Sequence, residues 1–374
     1  MSDRIIEPWD SKYTNRQLFL NQMNYKDFDR SFNMEFGYWP EIFDSWSCFK
    51  SNSIRSWGHA YYMLGIDSID ALSGENFMYP HFEKKVLEDD GLHQIIMDED
   101  GLTSEIFKDG TQTIPRFLKA SVETPDDWKR LKEERFRLDD PARRVNIEAL
   151  KKLHAPGSER AYPLGVWTGS MIGKIRDLLT FEGLCYAVYD YPDMVEDMVE
   201  TSCRMVEHSL DQLLPEFQFD YACGWEDIAF KNGPIVSPDF FKAVIAPRYK
   251  RIHKKLEAHG VTVWYIDCDG DARPLIPTLL DSGVNTLFPY EVNSMGHPRD
   301  VLSEYGGQLR IMGGFDKMKL MEGRDAIKEY MKSLVPLVKK GGFIPFCDHL
   351  CPPGVSEENY LYYLDLKRRM FTNI

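Results

Sequence analysis

The chain has 374 residues, 43% of them hydrophobic, and a formal net charge of -14 at pH 7. This length and apolar content suffice for one large domain or for two small ones. The excess of acidic side chains argues against a surface for nucleic acid or an anionic membrane, because such binding requires a basic face. An acidic substrate is still compatible with this charge, since it needs only local positive charge.

The sequence features that bear on cellular location indicate the reducing cytoplasm. The sequence contains no run approaching the roughly 20 apolar residues of a transmembrane helix, and the start at Met1 does not resemble a signal peptide. Seven cysteines, an odd number without a CxxC pair, do not form a disulfide framework. We therefore expect a cytoplasmic protein.

The first 120 residues alternate helical, extended and turn signals. Residues 14–31 predict a helix, and residues 32–39 predict an extended aromatic segment that ends before Pro40. Turn signals at residues 98–101 and 108–110 predict a small β-meander over about residues 92–118.

Thr124 is a good helix start, as a Thr N-cap followed by proline and acids in the first turn. From about Ala161, short apolar runs alternate with helical patterns. Such alternation predicts a parallel sheet, and about five clear β/α units favour a (β/α)8 TIM barrel. We expect a single domain over residues 1–374, with about residues 1–120 as an N-terminal extension. The alternative, an open doubly wound sheet, is disfavoured because the chain has no glycine-rich dinucleotide fingerprint.

Residues capable of chemistry follow several of the predicted strands. Asp267 and Asp269 come directly after an apolar run, and carboxylates two apart on an extended segment point the same way. They could share one cation or raise each other's pKa. The residues that follow other strands are Glu226, Glu291, Asp316, Lys317, Cys347 and His349. Because strand-end loops build the active site of a parallel barrel, these residues predict an enzyme pocket.

Each of these residues also has a purely structural interpretation. The acids would cap the following helices, His349 would be hydrogen-bonded scaffold, and Cys347 would be a buried small hydrophobe. Lys317 and Arg176 are candidate anion clamps, and a surface salt bridge is an equally good interpretation of Arg176.

The chain resembles the uroporphyrinogen decarboxylase-like superfamily over nearly its whole length. The segments that carry the resemblance are 35–39 (EFGYW), 225–238 (WEDIAFKNGPIVSP), 267–270 (DCDG), 313–317 (GGFDK) and 348–353 (DHLCPP). The resemblance implies a (β/α)8 barrel. It also implies one of two activities, decarboxylation of uroporphyrinogen or methyl transfer to or from a corrinoid.

The sequence departs from both branches of this superfamily. The true decarboxylases open with an Arg-Gln-Ala-Gly-Arg segment that grips the substrate carboxylates, and here that region is aromatic with only Arg30 nearby. Thiol-methylating members carry a His-x-Cys-Gly zinc motif and a later cysteine. The corresponding positions are Asp267, Asp269 and His349, so oxygen and imidazole ligands replace a thiolate-rich set.

This replacement predicts a harder, more Lewis-acidic metal site, suited to polarising an ether oxygen. Zinc is the expected ion, bound by Asp267, Asp269 and His349, with Glu226 or Cys347 as further candidates. In the metal-free alternative, Asp267, Asp269 and Glu226 act as acids that protonate the leaving group. The sequence leaves both alternatives open.

We interpret the chain as a corrinoid-dependent methyltransferase of the O-demethylase type. It would move a methyl group from a small O-, N- or S-methyl compound, with an O-methyl aromatic as the favoured substrate, to cobalamin on a partner corrinoid-binding protein. The expected catalytic residues are Glu226, Asp267, Asp269 and His349. The expected substrate-binding residues are Phe36, Tyr38, Trp39, Trp167, Arg176, Trp225, Glu291, Asp316 and Lys317.

Two other functions remain as alternatives. One is decarboxylation of a substrate with fewer carboxylates than uroporphyrinogen, and the other is a non-catalytic barrel that binds a corrinoid or small ligand. A homodimer is common for this fold family and is a further expectation.

Overall fold

A computed structural model describes residues 4–108, 115–157 and 159–374 of the chain. The strands run in chain order as β1 (Asp70–Leu72), β2 (Lys85–Asp89), β3 (His93–Met97), β4 (Thr103–Phe107), β5 (Arg116–Lys119), β6 (Leu164–Trp167), β7 (Tyr221–Trp225), β8 (Ala229–Phe230), β9 (Gly233–Pro234), β10 (Trp264–Asp267), β11 (Thr286–Tyr290), β12 (Arg310–Phe315) and β13 (Phe343–Cys347).

The helices that precede and connect these strands are α1 (Asn15–Met23), α2 (Pro40–Ser45), α3 (Ser47–Ser51), α4 (Trp57–Met63), α5 (Pro125–Arg135), α6 (Ile147–Leu153), α7 (Gly173–Leu179), α8 (Phe181–Asp190), α9 (Pro192–Leu213), α10 (Pro238–Phe240), α11 (Ala246–Ala258), α12 (Ile276–Asp281), α13 (Val292–Met295), α14 (Pro298–Tyr305), α15 (Lys317–Glu322), α16 (Arg324–Lys340) and α17 (Glu357–Met370). Among the described helices, none is long and apolar enough to cross a membrane.

The predicted TIM barrel is confirmed. Seven strands pair in the order β1-β6-β7-β10-β11-β12-β13, and every neighbouring pair is parallel. The carboxyl ends of these strands therefore share one face, as expected for β/α units in series.

The extended aromatic segment predicted at residues 32–39 takes the eighth position of the barrel. On one side, the Asn33 carbonyl accepts a hydrogen bond from the Asp67 N–H at 2.9 Å, just before β1. On the other side, the amide of Gln22 bridges the gap to β13, because it accepts from the Phe32 N–H and donates to the Phe343 carbonyl, both at 2.6 Å. This side chain replaces part of a backbone ladder, which explains why the segment does not form a regular strand.

A buried ion pair holds the same segment against α17. The Lys367 ammonium lies 2.9 Å from a Glu35 carboxylate oxygen, and each side chain is 1% exposed. The Tyr363 hydroxyl donates to the same carboxylate at 3.0 Å. The contact fixes the backbone beside Phe36, whose ring points to the carboxyl ends of the strands.

Aromatic rings fill the interior of the barrel. The ring of Tyr265 stacks on Tyr221 at 5.8 Å and contacts Phe288 at 4.5 Å between centroids. Phe288 in turn contacts Phe346 on β13 and Phe36 on the eighth segment. Because strands from opposite sides contribute to one ring cluster, this part of the barrel is a packed core and not a pore.

Two elements near the N-terminus have bounds that differ from the predicted ones. The first helix ends at Met23, well before residue 31, because Tyr25 adopts a φ of 58° that no α-helix tolerates. The β-meander begins earlier than predicted, since β2 to β5 form an antiparallel sheet from Lys85 to Lys119. The turn predicted at 108–110 lies partly outside the described residues.

The turn at 98–101 and the helix start at Thr124 are as predicted. The Asp98 carboxylate accepts from the N–H groups of Asp100 and Leu102 at 3.0 and 2.9 Å, which closes the turn between β3 and β4. Thr124 and Asp127 form a reciprocal capping box.

Candidate functional site

Three predicted residues converge where β10, β11 and β13 end. One ligand atom from each of Asp269, Glu291 and His349 lies within 4.8 Å of the others. The His349 Nε2 atom is 3.2 Å from the Asp269 Oδ2 atom. We call these three residues the mouth cluster. Because each follows a different parallel strand, only the closed sheet brings them together.

Asp269 carries an unsatisfied atom inside this cluster. Its Oδ1 atom is buried and has no hydrogen-bond partner among the described residues. A buried carboxylate oxygen without a donor costs free energy, so such an atom requires a specific explanation. A divalent cation held by two carboxylates and one imidazole would supply the missing contact, and this donor set suits zinc. The residues present therefore fit a metal ion.

Glu291 connects the cluster to two neighbouring loops. Its carboxylate accepts from the Gly270 N–H at 2.9 Å, and the Lys317 ammonium lies 3.2 Å from its other oxygen. Gly270 has a φ of +82°, a conformation that favours glycine. Burial opposes the charge of Lys317, but Asp348 and Glu291 together raise its pKa. Lys317 thus stays charged and balances one carboxylate of the cluster.

Asp348, to which the sequence analysis assigned no role, positions the loops that carry Glu291 and Lys317. One of its oxygens accepts from the Val292 N–H at 2.8 Å, and the other accepts from the Lys317 N–H at 3.0 Å. Burial raises the pKa of Asp348 to about 6, against the opposing effect of Lys317. The carboxylate ties the loops after β11 and β12 to the residue that precedes His349. Its adjacency to His349 was the available signal.

Asp267 lies beside the mouth cluster but is not one of its three grouped ligands. Burial, with the nearby charges of Asp269 and Asp227, raises the pKa of Asp267 to about 8. This carboxyl group is therefore protonated at neutral pH. The structure groups Glu291, and not Asp267, with Asp269 and His349. The reason is that β10 and β11 are neighbours, so the loop after β11 reaches Gly270.

Glu226 occupies a different place from the one predicted. Its carboxylate accepts from the backbone N–H groups of Met171, Ile172 and Gly173 at 2.6 to 2.8 Å. It also accepts from the hydroxyls of Ser170 and Tyr249. Burial raises the pKa of Glu226, and these hydrogen bonds act in the opposite direction. Both oxygens are already satisfied, so Glu226 anchors the start of α7 and is not available as a ligand or acid of the cluster.

The next residue, Asp227, is the one that reaches the mouth cluster. Its Oδ1 atom accepts from the Asp269 N–H at 3.2 Å. Its backbone has a φ of 51°, which is unusual for a residue other than glycine. Burial and the neighbouring Asp269 raise the pKa of Asp227. Sequence reasoning chose between two adjacent acids and had no local signal for this backbone reversal.

The other predicted binding residues lie in different surroundings. Phe36 faces the cluster, with its ring 5.5 Å from the His349 ring. Tyr38 is fully buried away from it, where its hydroxyl pairs with Tyr360 at 3.0 Å. Trp39 and Trp167 are partly buried, at the start of α2 and the end of β6 respectively.

Arg176 does not form the free anion clamp that was one expectation for it. Its guanidinium donates to the Asp227 carbonyl at 2.5 Å and to Asp177 at 3.3 Å, and it lies 5.2 Å from the Trp225 ring centroid. These contacts use the side chain to hold the loop that carries Asp227.

Asp316 and Cys347 serve the scaffold. Asp316 caps α15 by accepting from the Met318 N–H at 2.9 Å. Cys347 is buried beside Cys351, Asp348 and Glu35, and burial raises the pKa of its thiol far above the usual range. The thiol is absent from the grouped ligand atoms of the mouth cluster, so the structure does not place it as a metal ligand.

Comparisons with known proteins agree with this fold. The family described as uroporphyrinogen decarboxylase (URO-D) matches residues 101–370. Among solved structures, the chain is similar to a methyltransferase from Methanosarcina mazei, with a TM-score of 0.58 and 15% identity over 96% of this chain and 99% of that chain.

A B12-independent methionine synthase from Shewanella sp. W3-18-1 in complex with selenomethionine is a looser match. Its TM-score is 0.43 at 10% identity, over 97% of this chain and 96% of that chain. No curated protein matches the chain. At 15% identity, the similarity to the first structure concerns the fold alone.

Proposed function

The chain belongs to the uroporphyrinogen decarboxylase (URO-D) family, and from this premise we propose that it is a corrinoid-dependent methyltransferase. It transfers a methyl group from a small methylated substrate, an O-methyl aromatic compound, to cobalamin on a partner corrinoid-binding protein. The observation that carries this proposal is the mouth cluster of Asp269, Glu291 and His349, in which the buried Oδ1 atom of Asp269 has no hydrogen-bond partner among the described residues.

Three cations that could have bound a polycarboxylate substrate are already paired, and none of them is free at the mouth cluster. Arg30 is 2% exposed and pairs with both oxygens of Asp67 at 2.6 and 3.0 Å. Arg176 is engaged by Asp227 and Asp177, and Lys317 by Glu291. A tetrapyrrole with many carboxylates needs several free cations, and these three are already paired. Uroporphyrinogen decarboxylation is therefore the weaker alternative.

Asp269, Glu291 and His349 would hold a divalent ion such as zinc. When bound, the ion supplies Lewis acidity toward an ether oxygen. Asp348 keeps Glu291 and His349 in register by binding the loop after β11. Phe36 covers His349 and excludes water from that side of the cluster.

In the metal-free alternative, Asp267 supplies the proton that the reaction needs. Loss of the methyl group leaves a phenolate, which is a better leaving group when an acid protonates its oxygen. Burial and the nearby Asp269 and Asp227 raise the pKa of Asp267 to about 8 in the metal-free protein, so in the metal-free alternative this carboxyl group carries a proton at neutral pH and is suited to the task.

The test is a methyl-transfer assay with the purified full chain and a reduced corrinoid protein. We expect methoxylated aromatic compounds to methylate the corrinoid, seen as a change in its visible absorbance. Uroporphyrinogen should remain unchanged under the same conditions. Production of coproporphyrinogen, without corrinoid methylation from any methoxylated compound, would overturn the proposal in favour of the decarboxylase.

A further inference from the structure

A wide cleft runs away from the mouth cluster between the β-meander and the α7–α8 region. Its volume is about 1090 Å³, at the upper end for small-molecule sites. Asp227 and Arg176 are among its lining residues, and Asp227 also accepts the Asp269 N–H. The cleft therefore adjoins the mouth cluster through a single residue. We call it the side cleft.

Exposed aromatic rings line the outer part of the side cleft. The rings are Phe117, Phe181, Tyr186, Tyr191 and Phe230. Phe181 and Phe230 meet edge to face, with centroids 5.1 Å apart. Large apolar side chains that remain exposed around a concavity mark a binding site more often than scattered ones do.

Backbone strain supports a role in binding. Thr180 and Asp227 both line the side cleft, and both have positive φ values, of 66° and 51°. Such conformations cost free energy in residues with a Cβ atom and cluster at functional sites. Here they turn the chain at the α7–α8 junction and after β7, which sets the two walls of the cleft.

The charge of the described lining limits the ligand. The acidic lining residues are Asp98, Asp100, Glu123, Asp177, Glu182 and Asp227, and the basic ones are Lys119 and Arg176. Arg176 is already engaged by Asp227 and Asp177, and Lys174 lies 2.8 Å from Asp100 and 3.7 Å from Asp177. The six carboxylates therefore still outnumber the three cations Lys119, Lys174 and Arg176. An anionic ligand would therefore meet repulsion, while an uncharged or cationic aromatic ligand would meet rings and carboxylates.

We propose that the side cleft binds the aromatic body of the substrate and selects uncharged or cationic aromatic ethers over aromatic carboxylates. This inference rests on the proposed function, because it assigns the part of the substrate that is not transferred. The ring would lie among Phe181, Tyr186 and Phe230, and its methoxy group would point past Asp227 to the mouth cluster.

The test is calorimetric titration of the full chain, without corrinoid protein, with three methoxyarenes of similar size whose para substituents differ in charge. The probes are 4-methoxybenzylamine, 4-methoxybenzyl alcohol and 4-methoxybenzoate. We expect the amine and the alcohol to bind at least about tenfold more tightly than the benzoate, since like charges at a partly desolvated site disfavour binding. Benzoate binding as tight as amine binding would overturn the proposal.

Position within α8 provides a matched control. Tyr186 lines the cleft, whereas Tyr189, three residues on, is 80% exposed and does not line it. Tyr186→Ala and Phe230→Ala should weaken amine binding about three- to tenfold, the usual value of an aromatic contact, and Tyr189→Ala should leave it unchanged. Equal effects at Tyr186 and Tyr189, or no effect at Tyr186 and Phe230, would overturn the proposal.

Binding and turnover separate the two proposals. If the binding pattern holds but no methyl group reaches the corrinoid, the proposed function fails and the side cleft stands. If methyl transfer proceeds while the cleft variants bind and react as the wild type does, the side cleft fails and the proposed function stands.

Discussion

Glu226 and Asp269 are both carboxylates placed just beyond the barrel strands, yet their surroundings differ completely. Glu226 is 1% exposed, and its oxygens accept from three backbone N–H groups and two hydroxyls. Asp269 contacts His349, and one of its oxygens is buried without a partner in the described protein. The Glu226 carboxylate therefore has its hydrogen bonds satisfied within the protein, whereas the Asp269 carboxylate does not.

The contrast shows how to separate structural from functional acids. A buried carboxylate whose lone pairs are all used stabilises its loop and has nothing left for a ligand. A buried carboxylate oxygen without a hydrogen bond has an unfavourable free energy, which binding of a substrate or metal ion can remove. The mouth cluster fits the second description, whereas Glu226 and the Glu35–Lys367 pair fit the first.

The largest expected effect is on activity at the mouth cluster. Asp269→Asn and His349→Ala should each lower the methyl-transfer rate by about 10³-fold, a loss typical of catalytic groups. Their melting temperatures should stay close to that of the wild type, because neither side chain contributes to the barrel core. Elemental analysis after zinc loading should show about one ion per wild-type chain and well under one in each variant.

A wild-type protein that is fully active without bound metal would contradict the metal site. The cluster would then act through hydrogen bonds and proton transfer, as in the metal-free alternative.

Glu226→Gln should have the opposite profile, with a large effect on folding. The amide group would place N–H donors against backbone N–H groups at the start of α7. Leaving buried donors unpaired should lower the free energy of unfolding by about 3 kcal/mol, measured by urea denaturation. Asp269→Asn makes the same chemical change and serves as its control. Equal destabilisation of the two variants would contradict the distinction between a structural Glu226 and a functional Asp269.

A smaller effect is expected from the ionisation of Asp267. Its pKa of about 8 in the metal-free protein lies above the ordinary carboxyl value. The protonated form is therefore favoured by folding, so stability falls as pH rises from the ordinary range through about 8. Asp267→Asn should remove this dependence and gain about 4 kcal/mol relative to the wild type between about pH 5 and pH 9.

Urea denaturation across this pH range, without metal, measures the effect. Parallel stability curves for Asp267→Asn and the wild type would show that Asp267 is not held protonated by its surroundings.

Local patterns predicted the elements best where they alternate regularly. The apolar runs before Asp267, Glu291 and Cys347 and the helices between them predicted the strand ends that form the mouth. The pattern failed near Tyr25, where a positive φ ends the first helix. The treatment of residues 1–374 as one domain remains a prediction.

The sequence by itself determined that carboxylates and His349 follow parallel strands, because strand periodicity and polar strand ends are local properties. Only the tertiary structure decided which of them meet. Glu291 joins Asp269 because β10 and β11 are neighbours, and Asp227 replaces Glu226 at the mouth because its backbone turns at a φ of 51°. Cys347 is not among the grouped ligand atoms, because its side chain is buried beside Glu35 and Cys351. Each of these outcomes depends on contacts between segments far apart in the chain, which no local pattern records.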